Sequence, residues 1–247
     1  MANILLSAKG IKIRFGGVIA ADGIDLDVHE GENLAIIGPN GAGKTTFLNI
    51  STGYLRPQAG TVSFLGHDIT AHLPRTITKL GIARAFQIPQ LFLDQTVMEN
   101  MLIAAASLKG RPSGFKALSS LPEAAEMERL LDLVGVKSYA ERKARELPEG
   151  QRKLVDIALA LALKPKLLLM DEPTSGVASS EKLGIMDILT TALAKVKVPS
   201  VFVEHDMDMV ERYANRVAVW NMGKIQKVGK PAEVLADPKV REQVIGI

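Results

Sequence analysis

The residues Leu34-Ala35-Ile36-Ile37-Gly38-Pro39-Asn40-Gly41-Ala42-Gly43-Lys44-Thr45-Thr46 join a short apolar run to a helix-like stretch that begins at Phe47. The four apolar residues read as a buried strand, and the segment after them has the spacing glycine, four residues, then Gly-Lys-Thr. That pattern suits a triphosphate: glycines bring backbone N–H groups close to the anion, the lysine reaches the β and γ oxygens, and the threonine hydroxyl serves Mg²⁺. A helix starting at the same place turns its positive end toward the same charge. Gly38, Pro39, Asn40, Gly41, Ala42, Gly43, Lys44, Thr45 and Thr46 are therefore the candidate phosphate cradle. The bland alternative is a glycine-rich turn, and the strand before and helix after it argue against that.

The 247 residues are 47% hydrophobic and 23% charged, which is ordinary for a globular chain able to bury one large core. Lys plus Arg number 30 against 27 for Asp plus Glu, and the basic residues are scattered, so no nucleic-acid footprint stands out. With no cysteine there are no disulfides or thiolate-held metals, in keeping with a reducing compartment. The apolar stretch at the N-terminus is too short for a secretory leader, and the greasiest region, residues 154–170, is broken by Asp156, Lys164, Pro165 and Lys166. Any membrane role must then come through a partner.

Alternation of apolar and acidic or polar residues over 24–29, repeated at Val62 and Phe64, predicts half-buried antiparallel strands. Residues 34–37, 167–170 and 201–203 are continuous apolar runs, the mark of parallel strands covered on both faces. Between Phe86 and Leu167 helix signals dominate. Thr96-Val97-Met98-Glu99 is a capping box opening a helix through Ser107, Pro122 suits the first turn of a helix ended by Gly135, and a third helix runs over about 149–163 before Pro165. Residues 110–120 read as a loop. Near the end, 217–220, a turn at Met222-Gly223 and 225–228 predict a hairpin, with a helix entered at Pro231. The expected fold is α/β, a mainly parallel sheet with an N-terminal antiparallel β patch and a helical insertion over 88–164 between core segments 1–87 and 165–247.

Leu167-Leu168-Leu169-Met170-Asp171-Glu172 ends a buried strand on two carboxylates, at the edge where open α/β sheets bind ligands. Asp171 there can hold Mg²⁺, and Glu172, on a turning chain, can polarise the water that attacks a γ-phosphate. A solvated strand end is the plain alternative, weakened by the cradle's presence.

These residues resemble the ATP-binding subunits of ATP-binding-cassette transporters over nearly the whole chain. Gly38 to Thr46 match the Walker A motif, Gln87 after Phe86 the Q-loop, Leu147-Pro148-Glu149-Gly150-Gln151 the signature, residues 167–172 Walker B, and Val203-Glu204-His205-Asp206 the switch histidine. Phe15, before Gly16-Gly17, matches the aromatic that stacks on adenine in that family. The resemblance implies a single P-loop NTPase domain that binds ATP and Mg²⁺, with Thr45, Gln87 and Asp171 as Mg²⁺ ligands, Glu172 and His205 as catalytic residues, and Leu147 to Gln151 presented to a partner's nucleotide. It also implies integral membrane permease subunits, a second ATP-binding subunit, an indirect link to a solute-binding protein, and a peripheral place at the cytoplasmic face of the plasma membrane. The stretches around Arg14-Phe15-Gly16-Gly17, Gly81 to Gln87 and Val203 to Met207 look most like the branch serving branched-chain amino acid importers, with amides, urea and small aromatic acids open as cargo. A soluble or regulatory cassette is the alternative, and a P-loop kinase would have no use for Gln87, a signature or His205.

Two departures from the family pattern matter. In the signature Leu-Ser-Gly-Gly-Gln, Pro148 stands for serine and removes both a hydroxyl and an N–H, and Glu149 stands for glycine and adds a charge. A carboxylate about 4 Å from a phosphate oxygen is repelled by roughly 4 kcal/mol at an effective dielectric near 20. Glu149 must therefore turn into the first helical turn, or the composite site is weak. After Walker B, Ser175-Gly176-Val177-Ala178 lacks the usual aspartate. Both changes touch what the chain gives to its partner, which favours a heterodimer over a homodimer.

Overall fold

The computed structural model describes residues 3–108 and 123–242. In chain order, β1 (Ile4–Phe15), β2 (Val18–His29) and β3 (Asn33–Ile37) precede α1 (Lys44–Ser51), followed by β4 (Ala59–Phe64), β5 (His67–Asp68), α2 (Pro74–Leu80), β6 (Ile82–Ala85) and α3 (Val97–Leu108). Then come α4 (Ala124–Leu133), α5 (Glu149–Ala162), β7 (Leu167–Asp171), α6 (Ser179–Val196), β8 (Ser200–Val203), α7 (Met207–Tyr213), β9 (Arg216–Asn221), β10 (Lys224–Gly229), α8 (Pro231–Leu235) and α9 (Pro238–Val240).

Two sheets result. One is antiparallel, in the order β2-β1-β4-β5, and the other has six strands in the order β10-β9-β3-β8-β7-β6. In the larger sheet β6, β7, β8, β3 and β9 run parallel, and β10 returns antiparallel as the second arm of the hairpin. The apolar runs explain its position, because side chains of period two must be covered on both faces. Ala35 and Ile37 join Ala83, Leu168, Met170, Phe202 and Val217 in one core shared with α3, α5 and α6. Leu34 and Ile36 join Leu167, Leu169, Val201, Val203 and Trp220 in another, shared with α1 and the antiparallel sheet. Trp220 is fully buried and its ring centroid lies 5.2 Å from that of Phe47 in α1.

Among the described residues, every helix and strand named between β6 and β7 is helical, and the one bridge found there, Thr96 to Lys143, stands outside any sheet. The capping box at Thr96 forms as a reciprocal pair, with Glu99 N donating to Thr96 Oγ1 at 3.1 Å and Thr96 N to Glu99 Oε2 at 2.7 Å. The third helix ends at Ala162, one residue before the expected limit, with Lys164 in a left-handed conformation ahead of Pro165. The expected loop at 110–120 and the expected helix start at Pro122 lie outside the described residues. The elements that escape the sequence reading include the twelve-residue β1, the short β5, the helices α2, α7 and α9, and α6, which is eighteen residues long. No helix among the described residues is long and apolar enough to cross a membrane.

Candidate functional site

The turn from β3 into α1 is tight at two glycines. A Cβ on Gly38 would fall 2.1 Å from the Trp220 carbonyl oxygen, and one on Gly43 would fall 2.0 Å from that of Ala20. With φ of 151° and 104°, both positions are also ones where side chains are rare. The close approach lets β2 and the β9–β10 turn hold the loop, and Gly223 N donates to Ala42 O at 3.0 Å. Lys44, buried, donates to the Gly38 carbonyl at 2.6 Å and to that of Pro39 at 2.9 Å, which curls the loop around its ammonium. Burial pulls the Lys44 pKa below the ordinary lysine value, against the charges of Glu172 and Asp171, which raise it.

Those two acids close the site from β7. Asp171, the last residue of the strand, turns Oδ2 to a salt bridge with Arg84 at 2.8 Å and Oδ1 to Thr45 Oγ1 at 3.4 Å. Arg84 lies in β6, donates also to Asn49 of α1 at 2.5 Å, and sits over the Phe86 ring at 4.9 Å. The pair is nearly dry, with side chains 6% and 3% exposed, so removing either partner would leave a buried charge costing about 3–5 kcal/mol.

Glu172 breaks the strand. Its φ of 50° is left-handed, a conformation that costs an L-residue roughly 1–2 kcal/mol, and it swings the carboxylate out of line with Asp171. Glu172 N donates to Val203 O, and the Glu172 carbonyl accepts from Ser175 N, each at 3.1 Å, so neighbours hold the strained backbone. The carboxylate then lies between two side chains from other elements. Gln87 Nε2 donates to Oε2 at 2.8 Å, and His205 Nε2 lies 2.9 Å from Oε1. Behind His205, Glu204 is buried, accepts from Thr174 Oγ1 at 2.8 Å and has its pKa raised by that burial.

The cradle, Gln87, Asp171, Glu172 and His205 therefore converge on one edge of the sheet. Phe15 stands apart, half exposed at the end of β1, at the turn into β2, whose Ala20 abuts Gly43. The five residues from Leu147 to Gln151 open α5, with Pro148 as its cap and Gly150 packed on Ile185 and Val177. Glu149 takes the first of its two expected courses. It begins the helix, where an acid is favoured, and its carboxylate lies so close to Gly176 of the same chain that a Cβ there would fall 2.2 Å from Oε1. Arg84, Lys153 and Asp156 belong to no motif in the sequence, yet each packs against the site. The available signal was a charge set among apolar neighbours in a short strand or helix face, as in Ile82-Ala83-Arg84-Ala85.

Comparison with known proteins gives a family and a fold. A family model described as ABC transporter matches residues 21–175. The high-affinity branched-chain amino acid transport ATP-binding protein LivG of Escherichia coli K12 is 31% identical over 256 residues, spanning 100% of this chain and 99% of that protein. The BraF protein of the same description from Pseudomonas aeruginosa is 30% identical, with the same coverage. A crystal structure of the ADP conformation of an ATP-binding cassette of an ABC transporter superposes with a TM-score of 0.86 at 34% identity, covering 99% of this chain and 100% of that one.

Asp156 supplies a test of the local electrostatics. Burial raises its pKa from 3.8 to about 6, against the N–H groups of Phe86 and Gln90 and the charge of Lys153, which lower it. Between those values the folded chain keeps a proton that the unfolded chain has released, so this group makes stability fall as pH rises through the window. Chemical denaturation at about pH 4.5 and about pH 7.5 should show the wild type losing about 2 kcal/mol relative to Asp156→Asn. Parallel behaviour of the two proteins would contradict it.

Proposed function

The chain belongs to the ABC transporter family, and on that premise we propose how its residues share the work of an ATP-binding, ATP-hydrolysing transport subunit. It is an ATPase of the transporter class rather than a stand-alone regulatory cassette or a kinase, and it binds nucleotide. Its cargo, by similarity to relatives that serve branched-chain amino acid transport, is such an amino acid or a related small polar solute. Residues 88–164 act as a helical subdomain within the nucleotide-binding core, and the subunit works at the cytoplasmic face of the membrane, against integral permease subunits that receive solute from a binding protein.

In this reading Gly38 to Thr46 hold the triphosphate through backbone N–H groups and Lys44, and Phe15 stacks on adenine. Thr45, Asp171 and Gln87 would hold Mg²⁺; their hard oxygens suit that ion, and Asp171 Oδ1 already faces the Thr45 hydroxyl. The ion would supply charge neutralisation at the phosphate oxygens. Glu172 orients the attacking water and accepts its proton, and His205 fixes the carboxylate and clamps the γ-phosphate. Gln87, joined to the same carboxylate, reports the state of the phosphate to the helical segment.

The observation that carries this assignment is the Glu172 carboxylate, bracketed by Gln87 and His205 beside the buried ammonium of Lys44. Most of the catalysis is positioning and charge stabilisation, and proton transfer adds a smaller share. Replacing Glu172 with Gln keeps the shape and removes the base. Steady-state turnover should fall by about 10²–10⁴ with Mg-ATP affinity unchanged; undiminished turnover would strip Glu172 of the role.

The partner is a different ATP-binding subunit. Pro148 offers no N–H, Glu149 is turned onto its own chain, and Ala178 offers no carboxylate, so this chain gives little to a nucleotide held by its partner. The two composite sites should then turn over unequally when each is silenced in turn through its Walker B glutamate. Equal rates in the reconstituted dimer would remove the asymmetry.

A further inference from the structure

Lys153 lies in the second turn of α5 and is 3% exposed. An ammonium is tolerated there only if its N–H groups find acceptors. Its three donors have three: Gln87 O at 3.0 Å, Glu172 O at 3.2 Å and Ser175 Oγ at 3.2 Å. These belong to three separate segments, the loop after β6, the end of β7 and the turn leading to α6. One turn along the helix, Asp156 accepts from Phe86 N at 2.9 Å and Gln90 N at 3.3 Å. A single turn of α5 thus grips the loop around Gln87 at three backbone points.

None of these bonds engages the side chain of Gln87 or Glu172. Those side chains meet each other at 2.8 Å, while their carbonyls are bridged by the Lys153 ammonium. The contacts close a ring that runs from the Gln87 side chain to the Glu172 side chain, the Glu172 backbone, Lys153 and the Gln87 backbone. Because Lys153 holds the carbonyl of a residue in left-handed conformation, it also helps to fix the backbone that aims the carboxylate.

We infer that Lys153 is a positioning residue that ties the Gln87 loop, the Glu172 backbone and Ser175 to the helix opened by the signature residues, so that a shift of α5 reaches the water-polarising carboxylate. The inference rests on the role proposed above for Glu172. Its physical content is that Gln87 and Lys153 act on one geometry although the ammonium never touches the Gln87 amide. A lysine that only filled space would show no such dependence.

The test is a double-mutant cycle on ATP turnover, with the full chain assembled with its permease and Mg-ATP affinity measured in parallel. Lys153→Met and Gln87→Ala should each lower kcat by about tenfold, Lys153→Met should change Kd by less than about threefold, and the double variant should lose less than about thirtyfold in kcat. A loss near a hundredfold in the double variant, or a Lys153→Met effect seen in Kd and not in kcat, overturns the inference. If Lys153→Met does not fold, the cycle of Ser175→Ala with Gln87→Ala decides: a double loss at least about twofold smaller than the product supports it, and a full product overturns it. Glu172→Gln in the same assembly separates the two levels. Turnover indifferent to that change removes the underlying reading as well, whereas Glu172-dependent turnover with independent Lys153 and Gln87 removes the inference alone.

Discussion

Two backbone carbonyls, those of Trp220 and Ala20, occupy the space that side chains at positions 38 and 43 would need, and the site follows from that contact. Because only glycine can lie so close, the loop between β3 and α1 packs directly on the β9–β10 hairpin and on β2. Its polar backbone is thereby pinned from outside, and Lys44 is carried inward toward the carboxyl end of β7. A loop free of those contacts would have to be ordered by its ligand, at an entropic cost of about 1–2 kcal/mol per residue.

Sheet order does the rest of the assembly. β3, β8, β7 and β6 are neighbours, all parallel, so their carboxyl ends reach one edge together. Each strand delivers its own piece there: the cradle from β3, Glu204 and His205 from β8, Asp171 and Glu172 from β7, and Gln87 from just beyond β6. The positions span much of the sequence, yet Gln87 and His205 both meet the Glu172 carboxylate within 2.9 Å. That convergence needs no long-range side-chain steering, since apolar burial on both faces already fixes strand order and register.

Much of this was legible in the sequence, for identifiable reasons. The apolar runs at 34–37, 167–170 and 201–203 read as strands covered on both faces, and the hairpin is legible in the apolar run 217–220, the turn at Met222-Gly223 and the stretch 225–228. β1 went unread because Gly10 and its several register irregularities interrupt the period along its twelve residues. α6 went unread because its apolar residues are not confined to the buried face: Ile185, Met186, Leu189, Ala192 and Leu193 are buried, but Leu183 and Val196 are exposed, and Gly184 weakens the helix signal in its second turn. Within the site, residues that form motifs are legible, while Arg84, Lys153 and Asp156 cannot be given partners, since those partners lie 19 or more residues away on other elements and loops. The course of Glu149 was likewise undecidable from sequence, because it depends on how close Gly176 allows its carboxylate to come.

A backbone loop pinned by its neighbours and one buried ammonium bind the nucleotide's phosphates in this site. Isothermal titration of Mg-ATP into the folded wild-type chain and into Lys44→Ala tests it most directly. A saturable heat in the wild type, weakened by about tenfold or more in the variant, is the predicted result. Equal isotherms for the two proteins, or no heat from either, would contradict it.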